Sequence, residues 1–229
     1  MEKAGMENTK IKAIGFDGNG VLYRRSRDFA AALAAYIRDS FSPGLDLGFA
    51  EECHKRHMFR SFDGSIGKAR VMEDFLDELG ISDPGARKAI LEKELEFSRA
   101  IELFPGEKET LLELERRGFV LGMITNSYQS AAEKASWFRA LGLECIARRV
   151  VSSIDAGVSK PDPGIYLAFA AEAGFPAREI AFVGHEDFEL AGAAKAGMLP
   201  VSFNCGEEVA RPLHLGRFSD LLDIFPYPG

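Results

Sequence analysis

The chain has 229 residues, 46% hydrophobic and 28% charged, a globular composition with room for one large domain or for a core carrying an insert. Its formal charge of −7 disfavours non-specific binding to nucleic acid or acidic membrane, so neither is expected as a partner. No apolar run reaches the ~18 residues of a transmembrane helix, "MEKAGMENTK" lacks the apolar stretch of a secretory signal, and three cysteines (Cys53, Cys145, Cys205) without a CxxC spacing suit reduced thiols in a cytoplasm.

The elements alternate. "IKAIGF" (11–16) predicts a strand, and residues from about 27 to 100 predict roughly four helices. Among these, "GKARVMEDFLDELG" closes on Gly80 in a C-cap position, and Asp83-Pro84 is a helix start. After Pro105-Gly106 the order is helix "EKETLLELERRG", strand "FVLGMIT", helix "SAAEKASWFRALG", strand "CIARRVVSS", helix "PGIYLAFAAEAG", strand "IAFVG", helix "ELAGAAKAG" and strand "PVSF". Apolar strands alternating with helices imply a parallel sheet covered on both faces. The first strand belongs with this second half. The expected fold is therefore α/β, a doubly wound, Rossmann-like core (10–24 and 101–229) with an inserted α-helical cap (25–100).

Ligands of such sheets bind beyond the carboxyl ends of the strands, and four strand ends here carry polar residues. Asp17-Gly18-Asn19-Gly20 follows the first strand, Thr125-Asn126-Ser127 the second, and Asp155 with the "VSKPDPG" loop and Lys160 the third. His185, Glu186, Asp187 and Glu189 follow "IAFVG". Taken singly, Asp17 is an ordinary turn residue, Thr125-Asn126-Ser127 a helix cap, Lys160 a solvated loop lysine and "GHED" an acidic turn. Together they offer a nucleophilic carboxylate at Asp17, an anion cradle at Thr125, a neutralising ammonium at Lys160, and an acidic cluster able to hold Mg²⁺ with Asp17.

On these motifs the chain resembles the haloacid dehalogenase superfamily, most of whose members are phosphatases. The likeness runs over nearly the whole length: "DGNGVL" resembles the first motif DxDG(V/T)L, "MITNS" the second, "SKPDP" with Lys160 the third, and "VGHEDFELAGAAKAG" the fourth. The resemblance implies Asp17 as nucleophile, Thr125 and Lys160 as catalytic partners, and Gly18, Asn126 and Ser127 as substrate contacts. It also implies a Mg²⁺ site drawn from Asp17, Asn19, His185, Glu186 and Asp187, and a small phosphorylated substrate. Two departures fall on the chemistry. The general-acid Asp is Asn19, and general acid help is worth roughly 10²–10⁴ in rate. The metal-binding Asp aligns with His185, a poor Mg²⁺ ligand that suits a softer ion or supplies charge itself.

Three readings follow: a phosphatase through an aspartyl-phosphate at Asp17, weak or confined to activated esters; a ligand-binding descendant without turnover; and a metal-independent 2-haloacid dehalogenase, whose leaving halide needs no proton. Elsewhere, Cys53, His54 and His57 read as part of a charged, solvated helix face rather than a metal site. Arg24, Arg25, Arg56 and Arg60 are candidates to face the mouth, and Trp137 and Phe138 to pack the core.

Overall fold

The computed structural model describes residues 11–25, 28–205 and 213–228. Positions 10, 27 and 229, which bound some expected segments, lie outside them. The first strand, β1 (Ala13–Phe16), leads into a short β2 (Arg24–Arg25). Four helices follow: α1 (Phe29–Ser40), α2 (Leu47–Phe59), α3 (Lys68–Glu78) and α4 (Pro84–Ser98). The chain returns through β3 (Ile101–Glu102), which pairs antiparallel with β2, so a two-stranded stem opens and closes the helical block. Next come α5 (Glu107–Arg116), β4 (Val120–Thr125), α6 (Ala131–Ala140), α7 (Glu144–Ala147) and β5 (Val150–Ser152). They are followed by α8 (Ser153–Ala156), α9 (Pro163–Ala173), β6 (Ile180–Gly184), α10 (Asp187–Lys195) and β7 (Leu199–Phe203). A short β8 (His214–Leu215) and α11 (Leu221–Ile224) complete the described chain.

The sheet is parallel throughout, in the order β5-β4-β1-β6-β7-β8. Alternate residues of each strand feed opposite faces. Ile14, Phe16, Leu121, Met123 and Val183 join Leu111, Leu114, Trp137 and Phe138 on one side. Ala13, Ile124, Val151 and Phe182 join Ile165, Tyr166 and Phe169 on the other. Trp137 and Phe138 are thus the core residues expected. Gly122 in β4 lets α9 approach: a Cβ there would stand 2.6 Å from the Phe169 ring and collide with the Arg149 carbonyl.

One strand is shorter than expected. "CIARRVVSS" is not nine extended residues; Glu144–Ala147 coils into α7, with the amides of Ile146 and Ala147 bonded back to the Leu143 carbonyl, and only Val150–Ser152 joins the sheet. Cys145 and Ile146 pack in the core from this helical turn, so an apolar run satisfies burial without being strand.

The helical block has its own apolar cluster of Leu33, Ile37, Cys53, Val71, Met72, Phe75, Leu76 and Ile90. Asp28, Asp46 and Asp83 cap α1, α2 and α4 through their side chains. The expected solvated face of α2 is instead buried in part: Cys53, His54, His57 and Met58 all turn inward. They share one side of the helix with Ala50 at three- and four-residue spacing, and burial holds the His54 ring down at a pKa of about 4. His57 Nε2 meets Glu78 Oε2 at 2.7 Å and Arg56 holds the other Glu78 oxygen at 2.6 Å, which makes this cluster an ion-pair network between α2 and the end of α3.

Block and core are joined by Tyr128, in the loop after β4. Its ring belongs to the block's apolar cluster and its hydroxyl donates to Glu94 of α4 at 2.9 Å. Lys68 of α3 bridges Glu94 at 3.2 Å and Glu133 of α6 at 2.9 Å. Among the described residues no helix is long and apolar enough to cross a membrane.

Gly122→Ala is expected to destabilise the protein by about 1–3 kcal/mol through overpacking of β4 against Phe169. In a chain of this size that lowers Tm by roughly 2–4 °C per kcal/mol, measured by thermal unfolding followed by circular dichroism.

Candidate active site

The carboxyl ends of β1, β4 and β6 and the loop after β5 converge on one cavity of about 430 Å³. Asp17 continues β1, with its amide bonded to the Val183 carbonyl, and its side chain is 5% exposed at the cavity floor. Gly18 accepts the amides of Val21, Leu22 and Tyr23, which curls the chain away from the floor. Thr125 Oγ1 lies against Gly18, 3.1 Å from where a Cβ would stand, and faces the same cavity.

Lys160 is fully enclosed and pairs with two carboxylates. Its Nζ contacts Asp17 Oδ1 and stands 2.6 Å from Glu189 Oε1. Its backbone is fixed by Asn126, whose Oδ1 accepts the Lys160 amide at 2.8 Å and whose Nδ2 donates to the Lys160 carbonyl at 3.1 Å. Asn126 lines the cavity, but its amide group serves to position Lys160. Ser127 is similarly engaged: its hydroxyl donates to Gln129 Oε1 at 3.0 Å, and its backbone amide donates to Ser153 Oγ at 2.9 Å.

His185 closes the fourth side. Its Nδ1 lies 3.3 Å from Asp17 Oδ2 and 3.8 Å from Glu189 Oε2, without an aligned hydrogen bond to either. The ring rests on Gly20, whose positive φ of 94° and missing Cβ make the room; a Cβ would meet Nε2 at 3.1 Å. The turn is clamped from β7's end by Asn204, whose Nδ2 donates to the Gly20 carbonyl at 3.0 Å.

The charges decide which groups are ionised. Burial alone would raise the Asp17 carboxyl, but Lys160 and His185 outweigh it and hold it below the usual carboxylate range. Burial works against the Lys160 ammonium, and Asp17 and Glu189 outweigh that in turn, raising its pKa. Glu189 is pushed up by burial and by Asp17 despite Lys160. His185 is raised by its contact with Asp17, against partial burial. Two neighbouring carboxylates therefore differ: Asp17 stays ionised, and Glu189 is the one that takes up a proton more readily.

The donors do not suit Mg²⁺. An oxygen or nitrogen atom from each of Asp17, Glu189 and His185 lies within 4.8 Å of the others, but one of the three donors is an imidazole, resting on Gly20, whereas Mg²⁺ prefers oxygen. Of the residues expected to hold the ion, Glu186 turns its carboxylate to His185 Nε2 at 3.5 Å, Asp187 begins α10 outside the cavity lining, and Asn19 lines the mouth. The donor set of two carboxylates and an imidazole matches softer ions better than magnesium.

The sequence-stated residues Asp17, Asn19, Thr125, Asn126, Ser127, Lys160 and His185 thus line one cavity. Arg25 lines it too, whereas Arg56 and Arg60 pair with Glu78 and Asp74 within the helical block, and Arg24 pairs with Glu102 on the stem. Sequence reasoning placed Glu189 at this strand end only as a member of the acidic cluster expected to hold Mg²⁺, and it missed Lys134, Tyr23 and Gln129 in the wall. Glu189 was legible through its spacing from His185, one helical turn on. Lys134 is hidden in an unremarkable helix and carries no motif.

A family model of haloacid dehalogenase-like hydrolases matches residues 11–197. A glyceraldehyde 3-phosphate phosphatase of Methanopyrus kandleri is 28% identical over 86% of this chain and 85% of its own length. An (S)-2-haloacid dehalogenase 4A of Burkholderia cepacia is 26% identical over 52% of this chain and 50% of its own. The crystal structure of a 2-haloacid dehalogenase from Pseudomonas syringae pv. tomato DC3000 superposes with a TM-score of 0.73 at 25% identity, covering 93% of this chain and 97% of that one. With the parallel sheet, the four motif-bearing strand ends and these likenesses together, the chain belongs to the haloacid dehalogenase-like hydrolases.

Proposed function

We propose that this hydrolase cleaves a small phosphomonoester through attack of Asp17 on phosphorus, with Lys160 and His185 supplying positive charge and the helical block, residues 25–100, acting as a cap over the site. The observation that carries the reading is the Asp17 carboxylate, held ionised between Lys160 and His185 at the floor of a cavity that also receives the Thr125 hydroxyl. In the first step an Asp17 oxygen bonds to phosphorus as the ester P–O bond breaks. The departing alkoxide takes its proton from the Glu189 carboxylic acid, which is left ionised, since Asn19 has none to give. In the second step water attacks the phosphorus of the aspartyl-phosphate, ionised Glu189 receives its proton, and Asp17 is freed. Thr125 donates to the phosphoryl oxygens, and Lys160 offsets charge developing across the transfer.

The phosphatases of this family generally use Mg²⁺, and the relatives named for phosphatase activity support the phosphomonoester. The imidazole over Gly20 is a poor Mg²⁺ ligand, so no step above is routed through an ion. A second reading, hydrolysis of a carbon–halogen bond, is favoured by the same pair of changes, because a halide leaves unprotonated and needs no metal. The dehalogenase relatives lend it weight.

Phosphate release from a panel of small monoesters decides the first reading, and halide release from 2-chloropropionate the second. Asp17→Asn is expected to lower turnover at least about 10³-fold in whichever assay responds; unchanged turnover would remove Asp17 as nucleophile. Chelator should leave the wild-type rate within about twofold, given the poor match to Mg²⁺. The raised His185 pKa sets the pH dependence. Its positive charge is present below the folded pKa and lost as pH rises through it, so kcat/KM is expected to fall as pH rises beyond the ordinary histidine range. His185→Gln should lower the rate and remove that limb, read from a pH–rate profile.

A further inference from the structure

Away from the catalytic cavity, the helical block brings three unlike donors together. Cys53 and His57 lie four residues apart on α2, so one face of that helix carries both. Glu78, the last residue of α3, meets them across the helix pair. One ligand atom from each of the three, a sulfur, a nitrogen and an oxygen, lies within 4.8 Å of the other two. His57 Nε2 stands 2.7 Å from Glu78 Oε2, and the Cys53 thiol faces the same carboxylate. Cys53 and His57 are buried, with Phe75 edge-on to the His57 ring, whereas the Glu78 side chain is 32% exposed. The cluster is therefore backed by the block's apolar core and reached by solvent from the Glu78 side.

Ion pairing accounts for Arg56 and His57 on Glu78, but not for a buried thiol turned to the same carboxylate, since a neutral thiol is a weak donor. A divalent ion of borderline softness uses all three groups. Zn²⁺ binds cysteine sulfur at ~2.3 Å, imidazole nitrogen at ~2.0–2.1 Å and carboxylate oxygen at ~2.0–2.2 Å, which sets tetrahedral donors about 3.3–3.6 Å apart. The cluster meets that spacing once the His57–Glu78 contact widens slightly. A thiolate and a carboxylate together offset the two positive charges of the ion. Arg56 Nη2, 2.6 Å from Glu78 Oε1, stays on that oxygen and leaves Oε2 to the metal. Arg60 Nη1, 3.3 Å from His57 Nδ1, gives way there and keeps Asp74, which it already meets at 3.4 Å.

We propose that Cys53, His57 and Glu78 form a zinc site that braces α2 against the end of α3, with water as the fourth ligand. Binding releases the Cys53 thiol proton to solvent and leaves the ring proton of neutral His57 on Nδ1, so that Nε2 faces the metal. None of the three residues lines the cavity that holds Asp17, so the ion strengthens the helical block and takes no part in hydrolysis. Sulfur is what separates this donor set from the two carboxylates and imidazole around Asp17.

Co²⁺ is the probe, because thiolate ligation gives it a sulfur-to-cobalt charge-transfer band in the near ultraviolet that oxygen and nitrogen donors do not. The full chain, stripped of metal and kept reduced by a phosphine, is titrated with Co²⁺ and then with Zn²⁺. The band is expected to saturate at one ion per chain and to vanish as Zn²⁺ displaces cobalt. Free Zn²⁺ at about 100 times its Kd should raise Tm by about 5–10 °C. Cys53→Ser, checked for fold by circular dichroism, should remove both the band and the rise in Tm. Glu78→Gln, on the solvent side of the cluster, should keep the band and weaken Co²⁺ binding about tenfold or more. Asp17→Asn should change neither, which separates this site from the catalytic cavity. A wild type without the band overturns the site, and a band that survives Cys53→Ser overturns it by tracing to another cysteine. Affinity unchanged by Glu78→Gln also overturns it, because that residue is the link to α3.

Discussion

The structure is organised around one buried ammonium held between two carboxylates. Removing Lys160 or either partner would leave an uncompensated charge in the interior, a change worth about 3–5 kcal/mol in comparable buried pairs. That constraint reaches far along the chain. Asp17 comes from the end of β1, Lys160 from the loop after β5 and Glu189 from α10, and Asn126 from the end of β4 pins the lysine's backbone. The strand order sets these segments side by side, and the ion pairs then demand that they stay in register to within a hydrogen bond.

His185 puts a second positive charge beside Asp17. A divalent ion can be lost, exchanged or chelated. An imidazole lodged on Gly20 is part of the chain, and its charge answers to pH instead. Glu189, one helical turn further on and pushed up by burial and by Asp17, is a second group beside Asp17, with the imidazole, able to exchange a proton.

Much of this was legible before any coordinates. Near-continuous apolar strands separated by helical periods sufficed for the parallel sheet, and the polar residues just past each strand marked the mouth because open α/β sheets bind there. What stayed hidden had no local signature. "CIARRVVSS" has strand composition throughout, yet its first residues bury themselves as a helical turn. Cys53, His54 and His57 sit among charged neighbours, so a helix whose buried side is polar looked like a solvated one. Lys134 reads as a surface lysine in "SAAEKASWF"; only the approach of Tyr23 from the first loop shows that it points inward. Asn126 was visible as a polar residue at the right strand end, but not its use, because its partner is the backbone of a residue 34 positions away.

Tyr128 lies three residues past Thr125, and it is anchored on the far side, its ring among the apolar residues of the helices and its hydroxyl on Glu94. The segment that presents Thr125 and Gln129 to the pocket is therefore tethered to the helical block as well as to the sheet. If the four helices swing outward, they must either release Tyr128 or drag this segment with them. Parting the helices from the sheet and displacing the threonine wall would then be a single motion.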